Sequence, residues 1–418
     1  MNNNTHKVKK NNFNKINNNT ILEDNISLNN IYDYSSNQNI NIILENEPIV
    51  SYCQPTLVGL DNIEATSFMN ATLQCLSQTE ELTNFFLNKN NREIIINNNK
   101  ALNNKNEIQL SPVFYELINK LWEVNGPKSF SPINFTNIIN QINPLFENRL
   151  EENCKNFIIF ILEQLHNELK KPNNFNNKDN IKEILNQSNG NNAFLHIFNE
   201  FIKETSIISD IFFGFNEITN ECLNCKNKNL QGNSIFYNYE IFNYLIFPLN
   251  EIKKKKNTKN NCNILNNNNY ITIYDCFDYN QRNVKLEGDN KMVCNKCKEK
   301  CEFIYNSKIY ISPNILILIL IREEENKYDV KLDFTETIDI TSFIPHNEVS
   351  QITYDLYGVI TNIDKSGLSD HFISLCKSPV NSKWYRYNNS IVSYITNIKE
   401  DVIDFGTPYI LFYQKNID

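Results

Sequence analysis

The sequence predicts an α+β fold, in which a helical half precedes a mainly stranded half. Up to about residue 205, apolar residues recur at helical spacing. In Asn153–Leu169, for example, Phe157, Ile161, Leu165 and Leu169 fall on one face. After Ile207 the pattern changes to short apolar runs bounded by turn residues. One of these, Asn314–Ile321, is continuously apolar after its first residue and reads as a strand buried on both faces.

Taken in order, residues 1–52 are Asn-rich and of low complexity, and are expected to be disordered. The organised part begins near Gln54. Gly59–Leu76 reads as a turn leading into a helix, with Thr66 or Ser67 as cap and Met69, Thr72, Leu73 and Leu76 at helical spacing. Glu80–Leu87 is a second short amphipathic piece. Ser111–Trp122 carries Val113, Leu117, Ile118 and Leu121 on one face. Ser131–Phe135 starts another helix with Pro132 near its first turn. Strands are expected at Ile211–Gly214, Tyr244–Leu249, Tyr354–Ile360 and Tyr409–Tyr413, and Lys253–Asn269 reads as an exposed polar loop.

Composition narrows the function. The chain has 418 residues with 41% hydrophobic and 12% aromatic content, enough for a sizeable core. A net charge of −8 argues against a nucleic-acid partner and suits a basic protein partner. No run of 18 apolar residues and no apolar N-terminal signal core is present, so no membrane partner is expected. The chain reads as intracellular, cytoplasmic or nuclear. Asn, Lys, Ile, Tyr and Phe are favoured together, which discounts any single Asn or Lys run as a signal.

Eleven cysteines, an odd number, point to reduced thiols and a metal site rather than disulfides. Cys222-x-x-Cys225 and Cys294-x-x-Cys297 can complete a closed tetrahedral zinc site of structural type. The 68 residues between the pairs require the fold to bring them together. Cys301 is a possible substitute ligand. Cys53, Cys75, Cys154, Cys262, Cys276 and Cys376 read as isolated core or loop thiols.

The stretch Gly59-Leu60-Asp61-Asn62-Ile63-Glu64-Ala65-Thr66-Ser67-Phe68-Met69-Asn70 resembles the cysteine box of the ubiquitin-specific proteases. Ser67 stands where that family has its catalytic cysteine, and Glu64 where it has glycine. The Asn153–Leu169 helix is similar to the family's second box, with Glu151, Glu152, Asn153 and Cys154 replacing its usual opening. Leu368–Leu375, with His371, and Lys383–Val392 are similar to its histidine box. The boxes occur in the family's order over about residues 56 to 415. The resemblance implies a papain-like cysteine-protease fold of the ubiquitin-specific type, with thumb, palm and zinc-binding β fingers. It implies a domain at 53–418, with the thumb at about 57–205, fingers at about 215–305 and palm at about 206–214 and 306–415. By position, Ser67 is the nucleophile, His371 the general base, Asn388 its orienting residue, Asn389 a neighbouring amide and Asn62 the oxyanion group. Ubiquitin or a ubiquitinated protein is the implied partner. His166 belongs to the thumb helix and reads as structural.

The departures bear on chemistry. A helix end and an imidazolium can lower a thiol's pKa to about 3.5–7.5, whereas a serine hydroxyl must lose its proton during the reaction. Asp370 replaces a family glycine that lines the passage for the ubiquitin tail. The expected function is therefore a ubiquitin-specific-protease homologue that is catalytically impaired or inactive and still binds ubiquitin. One alternative is an active deubiquitinase hydrolysing the bond after the ubiquitin C-terminal glycine. Another is an interaction scaffold that no longer binds ubiquitin.

Overall fold

The computed structural model describes residues 57–93, 95, 108–148, 153–172, 192–227, 234–259, 270–322, 330–345, 351–363 and 371–416. The segment 1–52 lies outside the described residues, as do Cys53, Cys262 and Asp370. The first half is helical: α1 (Ser67–Ser77), α2 (Glu80–Leu87), α3 (Ser111–Leu121), α4 (Ile133–Ile142), α5 (Asn153–Leu169), α6 (Asn192–Phe201) and α7 (Ile207–Phe212). Every residue of α1 is buried. It lies against α5 on one side and the strand Phe372–Lys377 on another.

Local chemistry sets the helix ends. Pro132 precedes α4 as its cap residue, as its spacing predicts. The N-terminus of α3 is capped from a distance. Glu168, near the end of α5, accepts the backbone N–H of Leu110 at 2.8 Å and of Ser111 at 2.6 Å. A carboxylate there satisfies orphan donors and faces the positive end of the helix dipole. The expected strand at Ile211–Gly214 is instead the end of α7, and extended structure begins at Gly214. The reason is a capping box in which Ser206 and Ser209 each bond the other's backbone N–H, nucleating one helical turn.

Among the described residues there are twenty strands, the first ahead of α1 and the rest between and after the helices. The short early ones are β1 (Gly59–Leu60), β2 (Ser129–Phe130), β3 (Lys171–Pro172) and β4 (Glu204–Thr205). Next come β5 (Gly214–Cys222), β6 (Ile235–Phe242), β7 (Leu245–Pro248), β8 (Tyr270–Thr272), β9 (Val284–Leu286), β10 (Met292–Val293), β11 (Lys300–Cys301) and β12 (Phe303–Ile311). The last group is β13 (Ile315–Ile321), β14 (Lys331–Asp333), β15 (Thr337–Asp339), β16 (Thr353–Asn362), β17 (Phe372–Lys377), β18 (Trp384–Asn388), β19 (Ile391–Tyr394) and β20 (Thr407–Lys415). Two sheets dominate. One has the order β6-β5-β12-β9, and the other β19-β18-β17-β16-β20-β13-β7 with β15 paired to β16.

The larger sheet is covered on both faces, which explains the unbroken Ile–Leu run. Ile315, Ile317 and Ile319 of β13 join a core with the helical layer. Leu316, Leu318 and Leu320 join a second core with Phe247, Ile252, Phe277 and Tyr354. The expected exposed loop at Lys253–Asn269 is a helix in its described part, Leu249–Lys259. Leu249 and Ile252 anchor it in the second core, and Lys256 pairs with Asp275 at 2.7 Å. Residues 260–269 lie outside the described residues. The four-stranded sheet has thinner cores, one built on Phe194, Phe198, Phe215, Tyr239 and Tyr310. Among the described residues, no helix is long and apolar enough to cross a membrane.

His166 on α5 is a structural residue, as expected. Its Nδ1 lies 2.8 Å from Ser206 Oγ, the side chain that caps α7. Burial, aided by the Lys170 charge, lowers its pKa from 6.5 to about 4. The folded state thus keeps a neutral imidazole that the unfolded chain protonates. The unfolded state binds more protons between these values, so the contribution is full above about pH 6.5 and is lost as pH falls toward 4. Thermal melts of the wild type and His166→Gln across this window should converge as the pH falls. Equal slopes for the two proteins would contradict a buried neutral His166.

Candidate active site

Ser67 is the first residue of α1 and is 3% exposed. The segment before it is shaped by side chains. Asn62 Oδ1 accepts the Thr66 backbone N–H at 2.8 Å, and Thr66 Oγ1 accepts the Ile63 N–H at 3.1 Å. Thr66 therefore does not cap α1 with its side chain; its oxygen points back into the loop. Between them, Glu64 and Ala65 have φ of 50° and 70°. This left-handed geometry is costly for residues with a Cβ, and it gives the glycine at position 64 of the resembling pattern a conformational meaning. Asn62 is exposed and its Oδ1 accepts from Thr66, which leaves Nδ2 as its side-chain donor.

The partner segment arrives from the other end of the chain. The backbone N–H of Phe372, the residue after His371, donates to Ser67 Oγ at 3.2 Å. His371 is half-buried, and its Nε2 lies 2.7 Å from Asn388 Oδ1. A carboxamide oxygen only accepts, so Nε2 carries the hydrogen and Nδ1 is the basic nitrogen. Ser67, His371 and Asn388 are thus brought to one place by α1, the start of β17 and the end of β18. Asn389 sits in the turn after β18 with φ 51°, a conformation that Asn tolerates. Its Oδ1 accepts from Asn70 Nδ2 at 2.9 Å.

Asn70 is the residue the sequence reading passed over. It is 3% exposed, and Nδ2 also lies 3.3 Å from the Leu60 carbonyl and 3.2 Å from that of Asp61. One turn further, Gln74 Nε2 donates to the Val58 carbonyl at 2.9 Å. Ser67, Asn70 and Gln74 are spaced i, i+3, i+7, a polar stripe on a buried helix, and that spacing was visible in the sequence. The stripe holds residues 58–61 in place. Leu60 N–H in turn donates to the Asn389 carbonyl at 2.9 Å. A Cβ at Gly59 would lie 2.4 Å from the Ser390 carbonyl oxygen, so only glycine permits this approach.

Cys75, the cysteine within the same helix, is not an accessible thiol. It is fully buried, and burial holds its thiol well above the ordinary range. It is not isolated as expected: its sulfur lies 3.6 Å from that of Cys376 on β17.

The second predicted constellation also assembles. Cys222 ends β5, Cys225 lies on the short helix Leu223–Asn227, and Cys294 and Cys297 lie between β10 and β11. Their sulfurs all lie within 4.8 Å of one another. Tetrahedral thiolates at about 2.3 Å from a zinc ion would be about 3.8 Å apart, and Cys225 and Cys294 are at 3.7 Å. The Lys296 N–H donates to Cys294 Sγ at 3.4 Å. The backbone N–H of Glu299 lowers the pKa of Cys297, while burial raises that of Cys225. The four cysteines can hold a metal ion. Cys301 adjoins them, 3.4 Å from Cys297.

Residues 58–413 match the family model described as ubiquitin carboxyl-terminal hydrolase. The chain is 27% identical over 368 residues to ubiquitin carboxyl-terminal hydrolase Usp2 of Drosophila melanogaster, covering 86% of this chain and 35% of that protein. It is 26% identical to ubiquitin carboxyl-terminal hydrolase 2 of Homo sapiens, covering 86% of this chain and 55% of that protein. The chain thus spans about a third to about half the length of these relatives. In structure it resembles the Ubp8/Sgf11/Sus1/Sgf73 SAGA DUB module bound to monoubiquitin. The TM-score is 0.62 at 20% identity, covering 92% of this chain and 75% of that one. The same module bound to ubiquitin aldehyde gives a TM-score of 0.60 at 18% identity, covering 92% of this chain and 75% of that one.

If Asn70 holds the site together, Asn70→Ala should lower stability by about 1–3 kcal/mol, because it strands buried acceptors. Urea denaturation reads this as a lower midpoint at unchanged slope. An unshifted midpoint would mean the stripe carries no net energy.

Proposed function

Because this chain belongs to the ubiquitin carboxyl-terminal hydrolase family, we propose that it binds ubiquitin or a ubiquitinated protein and hydrolyses the bond after the ubiquitin C-terminal glycine weakly or not at all. The observation that carries this reading is Ser67 at the nucleophile position, bonded to the residue after a histidine whose partner is the neutral amide of Asn388.

In this reading Ser67 is the residual nucleophile, His371 Nδ1 the base, Asn388 its orienting group and Asn62 Nδ2 the oxyanion donor. A cysteine at position 67 would ionise before reaction and need no charged partner for the imidazolium, since the thiolate is that partner. Serine must give its proton to His371 as it attacks, and the resulting imidazolium then faces an amide. In serine hydrolases, replacing the supporting aspartate by asparagine costs about 10⁴ in rate. Ser67 Oγ also spends a lone pair on the Phe372 N–H. Glu64 places a carboxylate two residues from Asn62. It opposes the build-up of negative charge, where one good donor is worth about 3–4 kcal/mol. Binding needs none of these groups. The ubiquitin-bound modules that share the fold support retention of that partner, and the acidic chain suits a basic contact face.

Zinc is the ion we assign to Cys222, Cys225, Cys294 and Cys297, since four clustered thiolates select a tetrahedral, thiophilic cation. It supplies cohesion rather than chemistry. Protein purified without chelator should carry about one zinc per chain, and a folded, zinc-free preparation would remove the assignment.

The functional test combines calorimetric titration with ubiquitin and release of a fluorophore from the ubiquitin C-terminus. The wild type should bind without turnover above background. Ser67→Cys should gain turnover that His371→Ala abolishes, and Glu64→Gly should raise it further. Robust wild-type turnover that disappears in Ser67→Ala would overturn the reading, as would the absence of binding at millimolar ubiquitin.

A further inference from the structure

A fifth sulfur, that of Cys301, packs against the four-cysteine cluster at the end of the four-stranded sheet. Cys222, Cys225, Cys294 and Cys301 are all buried, and Cys297 is half-buried. With Phe303 the four buried thiols form a small core of their own. A tetrahedral cation takes four ligands, so one thiol is surplus. Cys301 lies 3.4 Å from Cys297 Sγ and is also in side-chain contact with Cys222. Its own S–H donates to the Glu299 carbonyl at 3.3 Å. It therefore lies beside the site, resting on two of its ligands.

We propose that Cys301 is a reserve ligand, taking the place of Cys297 on the cation whenever Cys297 is removed or withdrawn. The inference rests on the assignment of zinc to the four-cysteine cluster. Cys297 is the member to exchange because it is the most accessible of the four and sits in the loop between β10 and β11. Besides the Glu299 N–H and Asn224 Nδ2 that reach Cys297 Sγ, that loop keeps two bonds that Cys297 does not make, the Cys294 N–H to the Glu299 carbonyl and the Lys298 N–H to the Cys294 carbonyl, both at 2.9 Å. Cys301 sits on strand β11, paired in register with Met292. Its replacement of Cys297 asks a sulfur to move no further than the present sulfur–sulfur separation. The exchange is not a redox step. The Cys301 proton passes to Cys297, or to solvent when residue 297 cannot take it, and one metal–sulfur bond replaces another. Glu299 is the competing ligand, since its carboxylate lies in the same group as Cys297 and Cys301. It is exposed and already accepts from Asn224 Nδ2, and a thiolate suits zinc better than a carboxylate in a closed site.

The test measures zinc affinity of the full chain by competition with a chromophoric chelator, and sulfur-to-metal charge transfer per bound ion after cobalt(II) substitution. Cys301→Ser and Cys297→Ser should each bind zinc within about tenfold of wild type, the scale of an outer-shell change. The Cys297→Ser/Cys301→Ser chain should lose at least a further hundredfold and one quarter of the charge-transfer intensity. Cys225→Ser should be weak whether or not Cys301 is present. Equal affinity and equal intensity in Cys297→Ser and the double variant would overturn the proposal. So would loss of binding in Cys297→Ser/Glu299→Gln but not in the double cysteine variant. A Cys297→Ser chain that unfolds while Cys301→Ser stays folded also counts against exchange. A wild type that binds no zinc overturns the zinc assignment itself, and the exchange with it.

Discussion

A helix with no face to water keeps polar side chains only by giving each one a partner inside the protein. Helix α1 answers that constraint with a stripe of three residues, whose donors and hydroxyl are paired while Asn70 Oδ1 and Gln74 Oε1 stay buried without a partner among the described residues. Ser67 takes the Phe372 N–H, Asn70 bonds two carbonyls and the Asn389 side chain, and Gln74 bonds the Val58 carbonyl. Asn70 and Asn389 are 319 residues apart, and Ser67 and Phe372 are 305 apart. Satisfying α1 therefore also closes the chain on itself. The loop that carries Asn62, the strand that begins after His371 and the turn that carries Asn388 and Asn389 meet because one buried helix needs their polar groups.

The same closure makes the chemistry sensitive to a single atom. The scaffold fixes the tautomer of His371 through Asn388 and sets the Ser67 oxygen beside β17. An amide partner is adequate for a thiolate–imidazolium pair and poor for a hydroxyl that must be deprotonated in passing. In the proposed function, geometry retained around Ser67 would separate binding from catalysis, since a partner's surface does not depend on the charge state of one side chain. The strained φ values at Glu64 and Ala65 belong to the same picture. The loop keeps its left-handed path even where a carboxylate-bearing residue must adopt it.

The four-stranded sheet has a different source of order. Its end holds a buried cluster of four cysteines and one phenylalanine, too little apolar area to fix two loops against backbone entropy. A cation held by those thiolates, as proposed above, would compensate, because its binding free energy is folding free energy. The larger sheet needs no such help, with helices and short strands burying both faces of β13.

The sequence by itself determined the α+β order of the chain, the helices whose apolar period is long, the doubly buried β13 and the cysteine pairs. These are local periodicities and spacings, and backbone geometry converts them directly into faces and ligand sets. It also placed Ser67, His371 and Asn388 in one reading, through motif order rather than through contact. Tertiary structure decided what local signals cannot encode. Ile211 and Phe212 became the end of a helix because a Ser206–Ser209 box capped it, and Lys253–Lys259 became helical because Leu249 and Ile252 found a core. Asn389 took Asn70 as a partner, and Cys75 met Cys376. Each of these outcomes depends on which distant group arrives beside a buried side chain, and burial leaves that side chain no water to fall back on.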